Sequence, residues 1–333
     1  MSIEIAAPTS IGGRQDERGR VPDFFVVGHS KSGTTAMYQM LRQHPGIFMP
    51  ADSKEPGFFG RDCRRRFTPR RLGNVEPTSL DDYLCLFAEA RSEQLVGEAS
   101  GFYLSSGTAA SEISAFNPAA RIIAIFREPA TFLRSLHLQL LQNREDDERN
   151  LRTALALEPE RRRGRHIPRH SSRPQLLRYS DHVRYTDQLR RYHEAFPPEQ
   201  VLVLLYEDFR VDNRSAVRAI FRFLDVDDSV HIMPVEANAS VELRSPILED
   251  ALHRFSVGRD SLSRTVKAGI KAIVPLGARR RLLRTVQSRV IHEPSPPDPG
   301  LMADLRTWLK PEVERFSEYL GRDLVSFWAY DRV

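Results

Sequence analysis

The sequence predicts an α/β fold, a single domain with a central, mostly parallel sheet flanked by helices, on three observations. Short runs of strand-forming residues recur at 24–27 (FFVV), 121–126 (RIIAIF) and 201–205 (VLVLL). Such unalternating apolar runs suit strands buried on both faces. The first two runs are each followed by a helix start: Met37, Met40 and Leu41 stand at helical spacing after the first, and Pro129 opens a helix after the second. With 333 residues and 41% apolar content the chain can bury a sizeable core, at the upper end of what one domain spans.

Residues 1–20 are polar and read as a flexible tail, leaving 21–330 as the domain. No signal-peptide core and no run of eighteen apolar residues is present, so a cytoplasmic protein is expected, with a peripheral membrane position left open. The first strand enters a turn, GHSKSGTT, that follows the P-loop order G-x-x-x-x-G-K-S/T at Gly28, Gly33 and Thr35. Thr34 takes the lysine position, and the lysine stands upstream at Lys31, inside the loop. Strand, glycine turn and helix together aim backbone N–H groups and a helix N-terminus at one point, where an anion is stabilised. A kinase or ATPase would use the missing lysine on the β/γ-phosphates and the hydroxyl residue on magnesium. Here the sheet is nucleotide-kinase-like but the cation sits on the other side of the turn.

After an apolar strand, GHSKSGTT resembles the 5′-phosphosulfate loop of sulfotransferases that use 3′-phosphoadenosine 5′-phosphosulfate (PAPS), enzymes that need no metal. The resemblance implies that Lys31, Ser32, Gly33, Thr34 and Thr35 bind the phosphosulfate. Lys31 would then stabilise charge on the departing phosphate, more in the transition state than in the ground state. The second strand closes on Arg127, and Ser135 follows within the next helix, which resembles the family's 3′-phosphate signature. A guanidinium fork and a hydroxyl donor suit a terminal phosphate. Residues 54–59 (KEPGFF) resemble the K-E-x-x-F-F segment of glycan-modifying and related bacterial sulfotransferases, which implies Glu55 as general base for an acceptor hydroxyl. Gly57 departs from the histidine that relatives often carry there, and a solvated Lys54–Glu55 pair is the alternative. Lys54, Phe58, Tyr103 within 97–104 (GEASGFYL), and His137 are acceptor-side candidates, a helical histidine being otherwise structural. Tyr206, after the third strand, matches a tyrosine near the adenine, or else packs on its neighbours. Weaker matches at 238–240 and 320–328 extend the resemblance over about 21–330, nearer the heparan-type branch than the cytosolic small-molecule one.

Cys63 and Cys85 are the only cysteines and form no metal motif, and no metal is expected. The formal net charge is +5, and arginine dominates: Lys31, Lys54, Lys267, Lys271 and Lys310 are the only lysines. A compact ammonium suits a reacting centre better than a planar fork. Residues 143–175 include an arginine-rich, proline-containing stretch that reads as a mobile loop on the substrate side. Residues 255–292 read as a basic helical excursion, with nine basic residues and one acid between Arg259 and Arg289. A solvated helix face, a cover over the cofactor and a docking surface for an anionic membrane or carrier protein all fit it. No nucleic-acid motif accompanies the charge. The expected function is sulfuryl transfer from PAPS to a hydroxyl of a carbohydrate, lipid or secondary metabolite. A P-loop small-molecule kinase and a non-catalytic basic binding module are the alternatives.

Overall fold

The computed structural model describes residues 15–16, 19–51, 53–63, 77–235, 242–243, 291–292 and 296–332. The chain divides into two compact units, one of Met1–Asp62, Val75–Phe126 and Gln188–Glu236, the other of Cys63–Asn74, Arg127–Asp187 and Ala237–Val333. In chain order the helices are α1 (Thr34–Leu41), α2 (Leu80–Cys85), α3 (Ala109–Phe116), α4 (Pro129–Gln142), α5 (Leu151–Ala156), α6 (Glu158–Arg162), α7 (Tyr185–Ala195), α8 (Tyr206–Val211), α9 (Asn213–Leu224), α10 (Pro299–Leu320) and α11 (Leu324–Phe327).

The first unit carries the sheet. Its strands are β1 (Phe24–Gly28), β2 (Ile47–Phe48), β3 (Leu95–Ala99), β4 (Arg121–Phe126) and β5 (Val201–Leu205), ordered β2-β3-β1-β4-β5. Every ladder is parallel, as the unalternating apolar runs predict. Phe24 to Val27 and Ile122 to Phe126 are all 0% exposed, because both faces of the central strands are covered. Gly97 makes room at the start of this core: a Cβ there would lie 2.1 Å from the Phe24 ring, which the register places opposite it. The strand order reverses at β1, with β3 on one side and β4 on the other. The carboxyl ends of β1 and β4 therefore lie side by side at a switch point, where open α/β sheets bind ligands.

In the second unit Pro129 opens α4, and the buried Glu128 caps it, accepting from Ala130 N at 3.3 Å and Thr131 N at 2.7 Å. The same carboxylate accepts the Tyr330 hydroxyl at 2.7 Å and stands 3.4 Å from Arg306 of α10.

The described residues bear on two of the expectations about organisation, and most of a third lies outside them. Within the segment expected as a tail, Gln15–Asp16 pairs with Gly19–Arg20, and the Arg20 guanidinium donates to the carbonyls of Arg91, Ser92 and Gln94. Residues 143–175 carry α5 and α6 and are pinned by buried groups rather than forming an open loop. Arg161 meets Asp146 bidentately at 2.6 and 2.9 Å, and Glu145 accepts from Ser171, Ser172 and the Arg173 amide. Of the basic excursion 255–292 only Ile291–His292 is described, paired antiparallel with Glu242–Leu243; the span 259–289 and the match at 238–240 lie outside the described residues. Among the described residues no helix is long and apolar enough to cross a membrane.

Candidate active site

The predicted phosphate loop is formed between β1 and α1. Gly28 takes φ 140°, and a Cβ there would lie 2.6 Å from the Gly101 carbonyl oxygen, so only glycine lets β1 turn this closely. The loop is then tied down on both sides: His29 N donates to Ile125 O at 2.7 Å, and Ser30 N donates to Gly101 O at 3.0 Å. The His29 ring, buried against Phe126, meets Gln188 Oε1 at 2.7 Å. Lys31 turns the chain with φ 65°. Gly33, at φ 83°, starts α1 without a side-chain cap, and no acid occupies the first turn. The first-turn N–H groups of a helix have no intrahelical acceptors, so this end presents unscreened positive potential. Ser32 is 0% exposed, and among the described residues its hydroxyl has no hydrogen-bond partner. A buried donor is costly to leave unmatched, so a loop of this kind fits an anionic group better than a plain turn does.

The K-E-x-x-F-F segment joins this loop directly. Lys54 Nζ donates to Thr35 Oγ1 at 3.0 Å, to Thr34 Oγ1 at 3.4 Å and to Glu55 Oε1 at 3.0 Å. Lys54, expected on the acceptor side, thus holds the two threonine hydroxyls and the candidate base together. Glu55 keeps 41% of its side chain exposed, accessible to an incoming molecule. Phe58, half-buried, stacks on Tyr83 with centroids 4.5 Å apart. Tyr103 is fully buried, its hydroxyl accepting the Phe59 amide at 3.1 Å.

Sequence reasoning missed Glu98. It is the fourth residue of β3 and 1% exposed, with Tyr83 donating to Oε2 at 2.5 Å and Ser100 to Oε1 at 2.6 Å. Burial pushes this carboxyl up to about 7, the Ser100, Tyr83 and Tyr103 hydroxyls pull against it, and the Glu55 charge adds to the rise. The signal was present: an acid inside an apolar strand, followed by Ser100 and Tyr103.

Tyr206 opens α8 after β5 and packs beside the loop, its ring 3.4 Å from where a Gly33 Cβ would stand, with Phe209 at 3.1 Å. Arg127 follows the last residue of β4 and belongs to the second unit. Its Nε donates to Thr131 Oγ1 at 3.2 Å, and its carbonyl accepts the Tyr185 hydroxyl at 2.9 Å. Ser135 is 2% exposed on α4. His137 is 3% exposed, with Nδ1 on the Tyr179 hydroxyl at 2.8 Å and Nε2 on Arg149 O at 3.2 Å, an environment that suits the structural alternative. Burial holds its proton affinity below that of an ordinary histidine. Among the described residues no three His, Cys, Asp or Glu side chains gather as a metal site.

Comparison with known proteins agrees with this geometry. Residues 22–229 match the family model described as "Sulfotransferase family". Human carbohydrate sulfotransferase 15 is 31% identical over 155 residues, which are 35% of this chain and 27% of that protein. Mouse heparan sulfate glucosamine 3-O-sulfotransferase 3A1 is 27% identical over 146 residues, 44% of this chain and 33% of that one. The chain therefore spans about a third or less of these two relatives. The crystal structure of a sulfotransferase from Alicyclobacillus acidocaldarius superposes with TM-score 0.65 at 27% identity, covering 93% of this chain and 99% of that one.

Proposed function

The chain belongs to the sulfotransferase family, and we propose that it transfers the sulfuryl group of PAPS to a sugar hydroxyl, leaving adenosine 3′,5′-bisphosphate (PAP). The observation that carries the reading is the Lys54 bridge: Glu55 stands two hydrogen bonds from Thr35 in the loop's first helical turn. A base for the acceptor and a cradle for the donor's phosphosulfate are thereby held in one place, as an in-line displacement requires.

In this reading Glu55 takes the proton of the attacking hydroxyl, and its exposure leaves room for an acceptor. The bond from sulfur to the bridging oxygen breaks as the new sulfur–oxygen bond forms, so the 5′-phosphate gains charge. Lys31 and the first-turn amides of α1 meet that charge. The orphaned Ser32 hydroxyl and the uncapped helix start support the loop's share. Arg127 and Ser135 take the 3′-phosphate and Tyr206 the adenine side, on the strength of the motif resemblance. The sugar acceptor is drawn from the named relatives, which are a carbohydrate and a heparan sulfate sulfotransferase.

The test is calorimetry followed by labelled-sulfate transfer. PAP should bind at least about tenfold more tightly than AMP, and Arg127→Ala should remove most of that preference, since a charge-assisted contact contributes roughly 1.5–3 kcal/mol. With labelled PAPS, transfer to heparan or chondroitin chains should survive EDTA, and Glu55→Gln should lower kcat by about 10²-fold while PAP still binds. Equal affinity for AMP and PAP, or parental turnover by Glu55→Gln, would overturn the corresponding assignment. Transfer to lipid or aryl alcohols alone would move the acceptor class.

A further inference from the structure

The hydroxyls gathered on Glu98 also hold the segment that follows Glu55. Ser100 Oγ donates to Glu98 and accepts the Gly57 amide at 3.1 Å. Tyr103 lies near enough to the same carboxyl to lower its proton affinity, and its hydroxyl accepts the Phe59 amide at 3.1 Å. Tyr83 donates to Glu98 while its ring stacks on Phe58 and meets Phe59 edge-on at 5.4 Å. Residues 57–59 are thus suspended from one carboxyl group through three side chains. Stability alone accounts poorly for an acid here, because burying an ionisable group is costly and an apolar side chain would fill β3 at lower cost.

We propose that Glu98 is a positioning residue for Glu55: through Ser100, Tyr83 and Tyr103 it fixes the course of residues 57–59 and hence where the Glu55 carboxylate stands against Lys54 and the loop threonines. The inference rests on the reading of Glu55 as the base. It carries a pH dependence. The titratable and charged groups facing Glu98 are Tyr83 on α2, Tyr103 on the turn after β3, and Glu55 with its partner Lys54 on the facing segment. As a carboxylate Glu98 accepts the Tyr83 and Ser100 hydroxyl protons, with Tyr103 close by; once protonated it must donate, and one hydroxyl has to turn away. The group changes state at about 7, so the suspension loosens as pH falls through that value.

Amide exchange and turnover on the full chain test this. In Glu98→Gln, and separately in Ser100→Ala, the Gly57 and Phe59 amides should exchange about tenfold faster while those of residues 30–35 keep their protection. PAP release from PAPS, with heparan sulfate as acceptor, should show kcat lowered about fivefold or more and the PAPS KM within about twofold. The parental kcat should decline below about pH 7, and that limb should vanish in Glu98→Gln. Unchanged exchange in both variants, or a limb that persists in Glu98→Gln, overturns the inference. Should Glu98→Gln not fold, Ser100→Ala decides it. If the parent releases no PAP, or Glu55→Gln matches it, the reading of the site fails, and the exchange rates still decide whether Glu98 holds the segment.

Discussion

Lys54 donates to Glu55 at 3.0 Å, and the same ammonium donates to Thr35 at 3.0 Å, so one cation fixes the distance between the candidate base and the phosphate loop. The pair is half-exposed, and exposed pairs contribute about 0–1 kcal/mol to stability. Removing Lys54 therefore tests position rather than folding. Lys54→Ala should leave the melting temperature within about 2 °C of the parent, lower kcat by about tenfold or more, and weaken PAP binding by a smaller factor. A variant with parental kcat would return the pair to an ordinary surface contact.

Gly33 offers a test of the loop with an internal control. Alanine there meets a left-handed backbone at φ 83° and two Phe209 ring atoms 3.1 Å away, and Phe209 is only 4% exposed and cannot swing aside freely. Gly164 takes a similar φ of 79° with nothing within 4 Å of the added carbon. Both alanine variants should lose roughly 1–2 kcal/mol from the backbone alone. Gly33→Ala should lose more, and its PAP affinity should fall at least about tenfold while that of Gly164→Ala stays unchanged. Calorimetry and denaturant titration read both. Equal PAP affinity in the two variants would mean that the loop's course does not matter to the ligand.

Asp146 and Arg161 form a buried ion pair, with side chains 0% and 1% exposed. Burial alone would raise the Asp146 carboxyl, but Arg161, the Glu148 amide and the Tyr179 hydroxyl more than offset it and hold it below the usual range. Asp146→Asn leaves the guanidinium uncompensated and should destabilise by about 3–5 kcal/mol, whereas the double change Asp146→Leu with Arg161→Met should cost much less. Denaturant midpoints measure both. Single and double variants of equal stability would show that the ion pair is not what orders residues 143–175.

What was legible in the sequence follows from which physics is local. Three of the five strands and the loop's turn could be read because burial on both faces forces consecutive apolar residues, and because Gly28 and Gly33 meet backbone requirements that other residues resist; Ile47–Phe48 is too short to show a run, and Gly97 and Glu98 interrupt the other. The role proposed for Lys54 and Glu55 rests on resemblance, since nothing local says which way two exposed charges turn. The segment 143–175 misled because its order comes from Arg161–Asp146 and Glu145–Ser172, pairs separated by 15 and 27 residues, while α5 and α6 are too short to show a period. That Tyr103 and His137 are buried was not legible, because a polar side chain facing inward looks the same in sequence as one facing a ligand.

Glu98 links the site to the stability of the fold. Its carboxyl titrates near an ordinary 4.5 when the chain is unfolded and at about 7 in the folded protein. Between those values the folded protein holds a proton that the unfolded chain has released, so stability falls as pH rises. The contribution is fully present below about 4.5 and lost above about 7; a rise of this size corresponds to about 3 kcal/mol, or about 5 °C in melting temperature for a chain this long. Asp23, also raised by burial, adds a slope of the same sign, so the quantity to measure is the difference between the parent and Glu98→Gln. Glutamine cannot ionise. The melting temperature of the parent minus that of Glu98→Gln should shrink by about 5 °C between pH 5 and pH 8, most steeply at about 6, between the unfolded and folded values. A difference that stays constant across that range would mean that Glu98 does not change protonation there, and it would remove the basis for a pH limb in turnover as well.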